Sequence, residues 1–297
     1  EVYCCTTATA GENVWTNVGA GSGDVEPYSV YAGTQYGYTA GGDSRTTTVD
    51  RFSFTSDGDA VDWCDLHRSQ QYLADQSSGT HGYMSGEFQA TDNIDKYAFA
   101  STAIGTHVGA LIPSRYNGTG FASETYGYTA GGYRNTPAGN NDTIDKFPFA
   151  TDTNATDVGN LLSVVNSPAG CASVTYGYTM GGQGGSYINV IQKSSFAADG
   201  NSTDVSDLTR VLRGQTGSNT ETYGYSAGGT VSSGVYPTTN AIEKFSFAAG
   251  TNSVAVGNMI SSHLNNAGCS STTYGYQMGG SGGGPGNQIH KWSMTSD

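Results

Sequence analysis

One short unit, which recurs along the chain, constrains the fold more than any other feature of the sequence. The stretch TYGYTAGG at 125–132 returns with little change at 35–42, 175–182, 222–229 and 273–280, and an altered copy, THGYMSGE, stands at 80–87. The copies are spaced about 45–51 residues apart. Repeats of this length each form one small supersecondary unit, which buries its apolar face against its neighbours. We therefore predict that this unit belongs to the architecture and is not a ligand-binding loop.

Three further elements accompany each copy. A strand-like run with alternating apolar and polar residues follows it, and its copies are VDRFSF at 49–54, IDKYAF at 94–99, IDKFPF at 144–149, IQKSSF at 191–196, IEKFSF at 242–247 and IHKWSM at 289–294. A third run resembles ATDVGNLL at 155–162, and a small-residue stretch such as GFASE at 120–124 leads into the next tyrosine unit. Four strands in each of six repeats predict an all-β, six-bladed β-propeller. The 44 glycines and the low charged fraction of 12% agree with strands joined by tight turns.

The two ends of the chain predict how the ring closes. The last repeat stops after its third strand, whereas residues 13–21 resemble the missing fourth strand. We predict that they complete the last blade, because a closed ring leaves no exposed sheet edge. The chain is then a single domain over 1–297, with blade cores near 30–66, 76–112, 120–162, 170–209, 217–260 and 268–297 plus 13–21. A solenoid is the alternative, but it would not need a first strand that fits the gap in the last repeat.

The stretch RYNGTGFASETYGYTAGG at 115–132 resembles the kelch repeat, with its arginine, small-residue strand, tyrosine-bearing strand and closing Gly-Gly. The resemblance extends over essentially the whole chain, but the usual tryptophan of the fourth strand is replaced by Val158, Val205 or Val256. The form YGY-x-x-GG with Asn/Ser/Thr-rich connections also resembles repeats in virion proteins of tailed phages, marine cyanophages in particular. These resemblances imply a kelch-like propeller in a phage particle.

Charge and composition limit the classes of partner. The chain has a net charge of −13, from 12 Lys+Arg and 25 Asp+Glu, so a nucleic-acid backbone would repel it. No stretch approaches the ~20 apolar residues of a membrane span, so we expect no membrane insertion. The five cysteines lack the spacing of a disulfide framework or a zinc site. Two of them, Cys171 and Cys269, occupy equivalent repeat positions and are predicted to be small buried residues.

Basic and acidic residues also follow the repeat. All five lysines occupy one position of the strand-like run, where Arg51 stands in the first copy; this predicts equivalent surface or inter-blade ion pairs. Acidic connections occur at 57–62, 152–157 and 199–204. Their aspartates could ligate calcium, but we favour plain hairpin turns because two other repeats lack them. The candidate calcium ligands are Asp57, Asp59, Asp62, Asp152, Asp157, Asp199 and Asp204.

No pattern of catalytic residues is evident. Kelch-type copper oxidases need two His and two Tyr that converge on the metal, whereas the five histidines here fall at different repeat positions. They are His67, His81, His107, His263 and His290. Glycine-rich stretches such as GGQGG at 181–185 lack the lysine and helix of a phosphate-binding loop. We expect a protein that is not an enzyme and has no cofactor.

Function is expected where the repeat is least regular. Two sets of variable loops should emerge on one face of the propeller, and aromatic and polar residues there suit recognition of sugars or of a protein surface. The candidate binding residues are Tyr72, Arg115, Tyr116, Tyr133, Arg134, Asn135, Tyr187, Arg213 and Tyr236. We expect a virion module, a capsid decoration or tail fibre, that presents this face to host surface glycans or to neighbouring virion proteins, with assembly into a homo-oligomer in the particle. The alternative is a secreted or cell-surface microbial carbohydrate-binding propeller.

Overall fold

The computed structural model describes residues 3–7, 14–17, 35–42, 45–88, 91–231 and 237–295. Across these ranges all regular structure is β, and no helix is present that could span a membrane. Small antiparallel sheets are arranged as a six-bladed β-propeller, mostly with four strands to a blade, which confirms the predicted fold.

The blades share one order of strands, from the axis outwards. The inner strands of blades 2 to 6 are Ala74–Ser77, Thr119–Ala122, Ala169–Ala172, Thr216–Asn219 and Ala267–Ser270. The second strands, which carry the YGY units of blades 1 to 6, are Tyr36–Ala40, His81–Glu87, Tyr126–Ala130, Tyr176–Met180, Tyr223–Ala227 and Tyr274–Met278. The third strands are Thr46–Ser53, Thr91–Ala98, Ala138–Pro148, Val190–Ser195, Ala241–Ser246 and Ile289–Ser293. The outer strands of blades 1 to 5 are Val61–Gln70, Thr106–Ala110, Thr156–Val165, Thr203–Asp207 and Val254–Asn258.

Short additional strands lie beside this framework. Tyr133–Asn135 pairs with the start of the third strand of blade 3, and His263–Leu264 pairs with Ser281–Gly282. Near the N-terminus, Tyr3–Thr7 and Val14–Asn17 form a two-stranded antiparallel sheet of their own.

The predicted closing strand requires a correction. Val14–Asn17, the described part of the predicted 13–21 strand, belongs to the sheet with Tyr3–Thr7 and not to the sheet of blade 6. In the described residues, blade 6 has three strands. A nearby segment can pair with a smaller loss of chain entropy than a strand almost a whole chain length away, which accounts for the local hairpin.

Aromatic stacking joins the blades. The second tyrosine of each YGY unit is buried or half-buried, and in five blades it stacks on the phenylalanine that follows the third strand of the next blade. These pairs, with ring centroids 4.6–5.1 Å apart, are Tyr38–Phe99, Tyr83–Phe149, Tyr128–Phe196, Tyr178–Phe247 and Tyr276–Phe54. In blade 5, Tyr225 instead donates its hydroxyl hydrogen to the carbonyl oxygen of Met294, at 3.1 Å. Because Tyr276–Phe54 links blade 6 to blade 1, the described part of the ring closes by side-chain packing.

Close approach of the inner strands explains their small residues. A Cβ atom added to Gly120, Gly170, Gly217 or Gly268 would overlap atoms of the preceding blade's inner strand. Only glycine allows the backbones to approach so closely around the axis. Blade 2 has Asp75 at the equivalent position.

Candidate binding face

Backbone hydrogen bonds join the five described connections between blades around the axis. In each antiparallel blade, the loop after the second strand and the loop after the outer strand lie at the same end. The N–H groups of Asn117, Ser167, Gly214 and Asn265 each donate to the carbonyl oxygen of the equivalent residue one blade earlier, beginning at Tyr72, over 2.7–2.9 Å. All five residues have positive φ, between 51° and 65°. These four backbone hydrogen bonds fix the five described connections at one end of a central cavity of about 2090 Å³.

Four aromatic rings cluster on this face at the boundary of blades 2 and 3. Tyr116 lies at the centre, with ring centroids 5.1 Å from Phe88, 5.6 Å from Tyr133 and 6.3 Å from Tyr72. Tyr72 also meets Phe88 at 5.7 Å. All four side chains are half-buried, so each ring is held by its neighbours while part of it stays open to solvent. We call these four residues the aromatic cluster.

Three members of the aromatic cluster are among the residues predicted from the sequence, whereas Phe88 is not. Phe88 follows Gly86-Glu87 in the altered second repeat, just as Tyr133 follows Gly131-Gly132 in the third. Phe88 could therefore have been predicted from its position in the repeat alignment. It was missed because Glu87 replaces the second glycine, which makes the end of this copy hard to recognise.

Other predicted residues take different places. Arg134 is half-buried and Asn135 is exposed, on the short strand that begins at Tyr133. Arg213 lies over the ring of Tyr187, with its guanidinium carbon 5.3 Å from the centroid, and donates to Gln183 Oε1 at 2.6 Å. This second group belongs to the boundary of blades 4 and 5. Tyr236 lies outside the described residues.

Arg115 does not contribute its side chain to the face, and its assignment there was wrong. The side chain is fully buried and donates to Asp145 Oδ2 at 2.8 Å and to the carbonyl oxygen of Thr129 at 2.9 Å. Asp145 also accepts the backbone N–H of Ile112 at 2.8 Å. The kelch-like arginine is thus an internal anchor, which ties the connection between blades 2 and 3 to the third strand of blade 3.

The lysines and the acidic turns are partners in three ion pairs between neighbouring blades. The pairs are Lys96–Asp152 at 2.6 Å, Lys146–Asp199 at 2.6 Å and Lys291–Asp57 at 2.5 Å. In blade 4, whose neighbour lacks an acidic turn, Lys193 lies over the ring of Tyr176 at 4.5 Å. The inter-blade alternative is therefore confirmed for these three lysines.

The ion pairs also bear on the calcium alternative. Asp57, Asp152 and Asp199 point to lysines in the adjacent blade, while Asp59, Asp62, Asp157 and Asp204 are exposed. In the part of the chain that the structure describes, no three His, Cys, Asp or Glu side chains converge as they would around a metal ion. Three of the seven candidate ligands thus take part in ion pairs, and the assignment of these connections as plain turns stays a prediction.

Burial raises the pKa of two cysteine thiols and, separately, that of one carboxyl in the wall of the central cavity. Burial raises the pKa of Cys64 to about 11 and that of Cys171 further, so these thiols stay protonated and unreactive at neutral pH. Asp75 is the only charged residue on the described inner strands and lies in the cavity wall. Its side chain is exposed to the cavity, but the surrounding walls displace bulk water and raise its pKa to about 6.

The fold defines this chain as a six-bladed β-propeller. The aromatic cluster lies at the end of the propeller where the connections between blades are found. No protein-family model matches the chain, and no curated protein matches it either. Functional arguments therefore depend on the residues of the face itself.

Proposed function

We propose that this protein is a non-enzymatic attachment module of a phage particle and that the aromatic cluster binds host surface glycans. The observation that carries the proposal is the cluster itself: four half-buried rings at the loop end, with centroids 5.1–6.3 Å apart along its contacts. Aromatic faces stack on the apolar C–H faces of sugars, while their hydroxyl groups hydrogen-bond to sugar hydroxyls.

Two properties of the cluster favour binding. Its rings pack against one another and Tyr116 and Tyr133 are joined by reciprocal backbone hydrogen bonds of 3.1 and 2.7 Å, so little side-chain entropy is lost when a ligand binds. Arg134 and Asn135 follow directly on the same strand and supply polar groups at its edge. The net charge of −13 disfavours strongly acidic glycans, so we expect neutral sugars as ligands.

The placement in a virion rests on the resemblance of the YGY-x-x-GG repeats to those of tailed-phage virion proteins. A kelch-like ring stabilised by repeated contacts between blades suits a part that must display a rigid face outside the cell. Neighbouring virion proteins, including further copies of this chain, would be the other partners of such a module.

Glycan-array binding of the full chain tests the proposal. The Tyr116→Ala/Tyr133→Ala double variant should lose binding, because both rings are removed from the centre of the cluster. The control is Tyr223→Ala, which removes a partly exposed tyrosine at the opposite end of its blade and should leave binding unchanged. Wild-type protein that binds no glycan, or a double variant that binds as well as wild type, would refute the assignment.

A further inference from the structure

Two histidines that are far apart in the sequence meet at the boundary of blades 5 and 6. His263 is fully buried and His290 nearly so, with ring centroids 5.0 Å apart and planes at 69°. In the alignment of the repeats, His263 is equivalent to Arg115 and His290 to Asp145, the pair that meets at the boundary of blades 2 and 3. The equivalence follows from the backbone, since the carbonyl oxygen of His263 accepts the N–H of Gly229 just as that of Arg115 accepts the N–H of Glu87.

Four side-chain donor atoms converge there. Ser261 Oγ lies 2.9 Å from His263 Nε2, 3.2 Å from His290 Nε2 and 3.0 Å from Gln288 Oε1. Gln288 Oε1 is also 3.2 Å from His290 Nε2. The group thus contains two imidazole nitrogens and two neutral oxygens, all able to offer a lone pair to a cation.

We propose that Ser261, His263, Gln288 and His290 form a binding site for a divalent transition metal of the zinc class. Zinc binds nitrogen and oxygen ligands at about 2.0–2.2 Å in a tetrahedron, whose edges are then about 3.3–3.6 Å long. The four distances above are four of the six edges of such a tetrahedron, and they are shorter than the edges of a metal-filled site by about 0.1–0.7 Å. Imidazole nitrogen with oxygen is also a ligand set that suits zinc and copper among the biological metals.

The other blade boundaries show why this one is unusual. The equivalent buried acids bond to donors from the preceding connection: Asp145 to Arg115, Asp95 to the amide of Gln70, and Glu243 to Arg210. At the boundary of blades 5 and 6, two bases face each other without a carboxylate. A bound cation would give the lone pairs of the two imidazoles a shared partner, as the buried acids have in their donors at the other boundaries.

The outer ring nitrogens of the two histidines bear on the affinity of the site. The Nδ1 atoms of both histidines lack a hydrogen-bond partner among the described residues. Ligand histidines that lack such a partner bind metal about 10–100-fold more weakly, so we expect an affinity about that much below that of a zinc site whose histidines are supported in this way.

Gly284 leaves the donor group open on one side. A Cβ atom added to Gly284 would lie 2.8 Å from Ser261 Oγ and Gln288 Oε1, and 3.2 Å from His263 Nε2. The missing side chain thus leaves room for a metal or its bound water next to three of the four donors. The neighbouring residues of this loop are largely exposed, so ions can reach the group from solvent.

Zinc titration of the full chain after chelator treatment tests the site, with a chromogenic zinc chelator as competitor. Wild-type protein should bind one equivalent and gain thermal stability from it. The His263→Leu/His290→Gln double variant should lose about tenfold or more in affinity, together with the zinc-dependent rise in Tm. Its substitutions copy Leu212 and Gln192, which stand at these positions in other repeats, so the fold should tolerate them. His67→Gln, which changes an exposed histidine elsewhere, is the matched control.

A second variant keeps the test decisive if the double variant does not fold. Gly284→Ala leaves all four donors in place but puts a methyl group beside three of them, so it should weaken zinc binding as well. The proposal is overturned if wild-type protein shows no saturable zinc binding. It is equally overturned if zinc binds the folded double variant, or the Gly284→Ala variant, as tightly as wild type.

Discussion

The ring of Phe121, in blade 3, covers Gly177, in the neighbouring blade 4. In each of the other five blades, the central glycine of the YGY unit, or its counterpart in the altered copy, is covered by an aromatic residue directly opposite it on the third strand of its own blade. These pairs are Gly37–Phe52, Gly82–Tyr97, Gly127–Phe147, Gly224–Phe245 and Gly275–Trp292. Blade 4 has Ser194 at that position, and Phe121 supplies the missing ring from across the boundary.

This exchange predicts a coupled pair of substitutions. Phe121→Cys, which copies Cys171 and Cys269 at equivalent positions, should lower the free energy of unfolding by about 2–4 kcal/mol because it leaves a cavity over Gly177. Adding Ser194→Phe should restore much of the loss, since the new ring comes from blade 4 itself. Urea unfolding of both single variants and the double variant measures the coupling. Strictly additive effects would contradict the relationship.

The buried pair Arg115–Asp145 predicts a second rescue. Arg115→Val alone should cost about 3–5 kcal/mol, because it leaves the Asp145 carboxylate buried without its cation. Arg115→Val/Asp145→Gln copies Val165 and Gln192, which occupy these positions at the boundary of blades 3 and 4, and should recover most of the loss. Chemical denaturation checks both variants, and a double variant less stable than the single one would argue against this account.

The exposed pair Lys146–Asp199 should behave differently from the buried one. The Asp199 side chain is 54% exposed, so Lys146→Met should change the free energy of unfolding by only about 0–1 kcal/mol. Whatever difference is found should shrink in ~1 M salt, where the Debye length is about 3 Å. Thermal denaturation at low and high salt gives the answer. A loss as large as that of Arg115→Val would mean that the pair has a greater role than its exposure implies.

Asp75 predicts a specific pH dependence of stability. Its pKa in the folded protein, about 6, lies above the ordinary value of 3.8, so folding favours the protonated carboxyl. The stability of wild type relative to Asp75→Asn should therefore fall as the pH rises from about 4 to about 6, and stay level above that range. Urea unfolding across this range measures the difference. Asp59→Asn, in an exposed turn, is the control, and a flat difference for Asp75→Asn would show that the cavity does not perturb this carboxyl.

Features that recur with the period could be predicted from the sequence. The blade count, the strand order and the pairing of lysines between blades all follow from the alignment of the repeats. The aromatic cluster was only partly predicted, because Phe88 stands in the most altered copy. The meeting of His263 with His290 could not be foreseen, since a loop of one blade contacts the third strand of the next and that correspondence is set by the ring. The N-terminal hairpin was missed because similarity to a repeat does not reveal that a nearer partner competes for the strand.

The stacking of Tyr128 on Phe196 is one of five such contacts between blades. In each, one blade supplies the tyrosine and the following blade supplies the phenylalanine. A stretch of one full period therefore contains both halves of the contact, wherever in the repeat it starts. Duplication or loss of such a stretch by recombination would leave this stacking contact matched at the boundaries that carry it. In this respect the number of blades can change in evolution without a redesign of the contact that joins them.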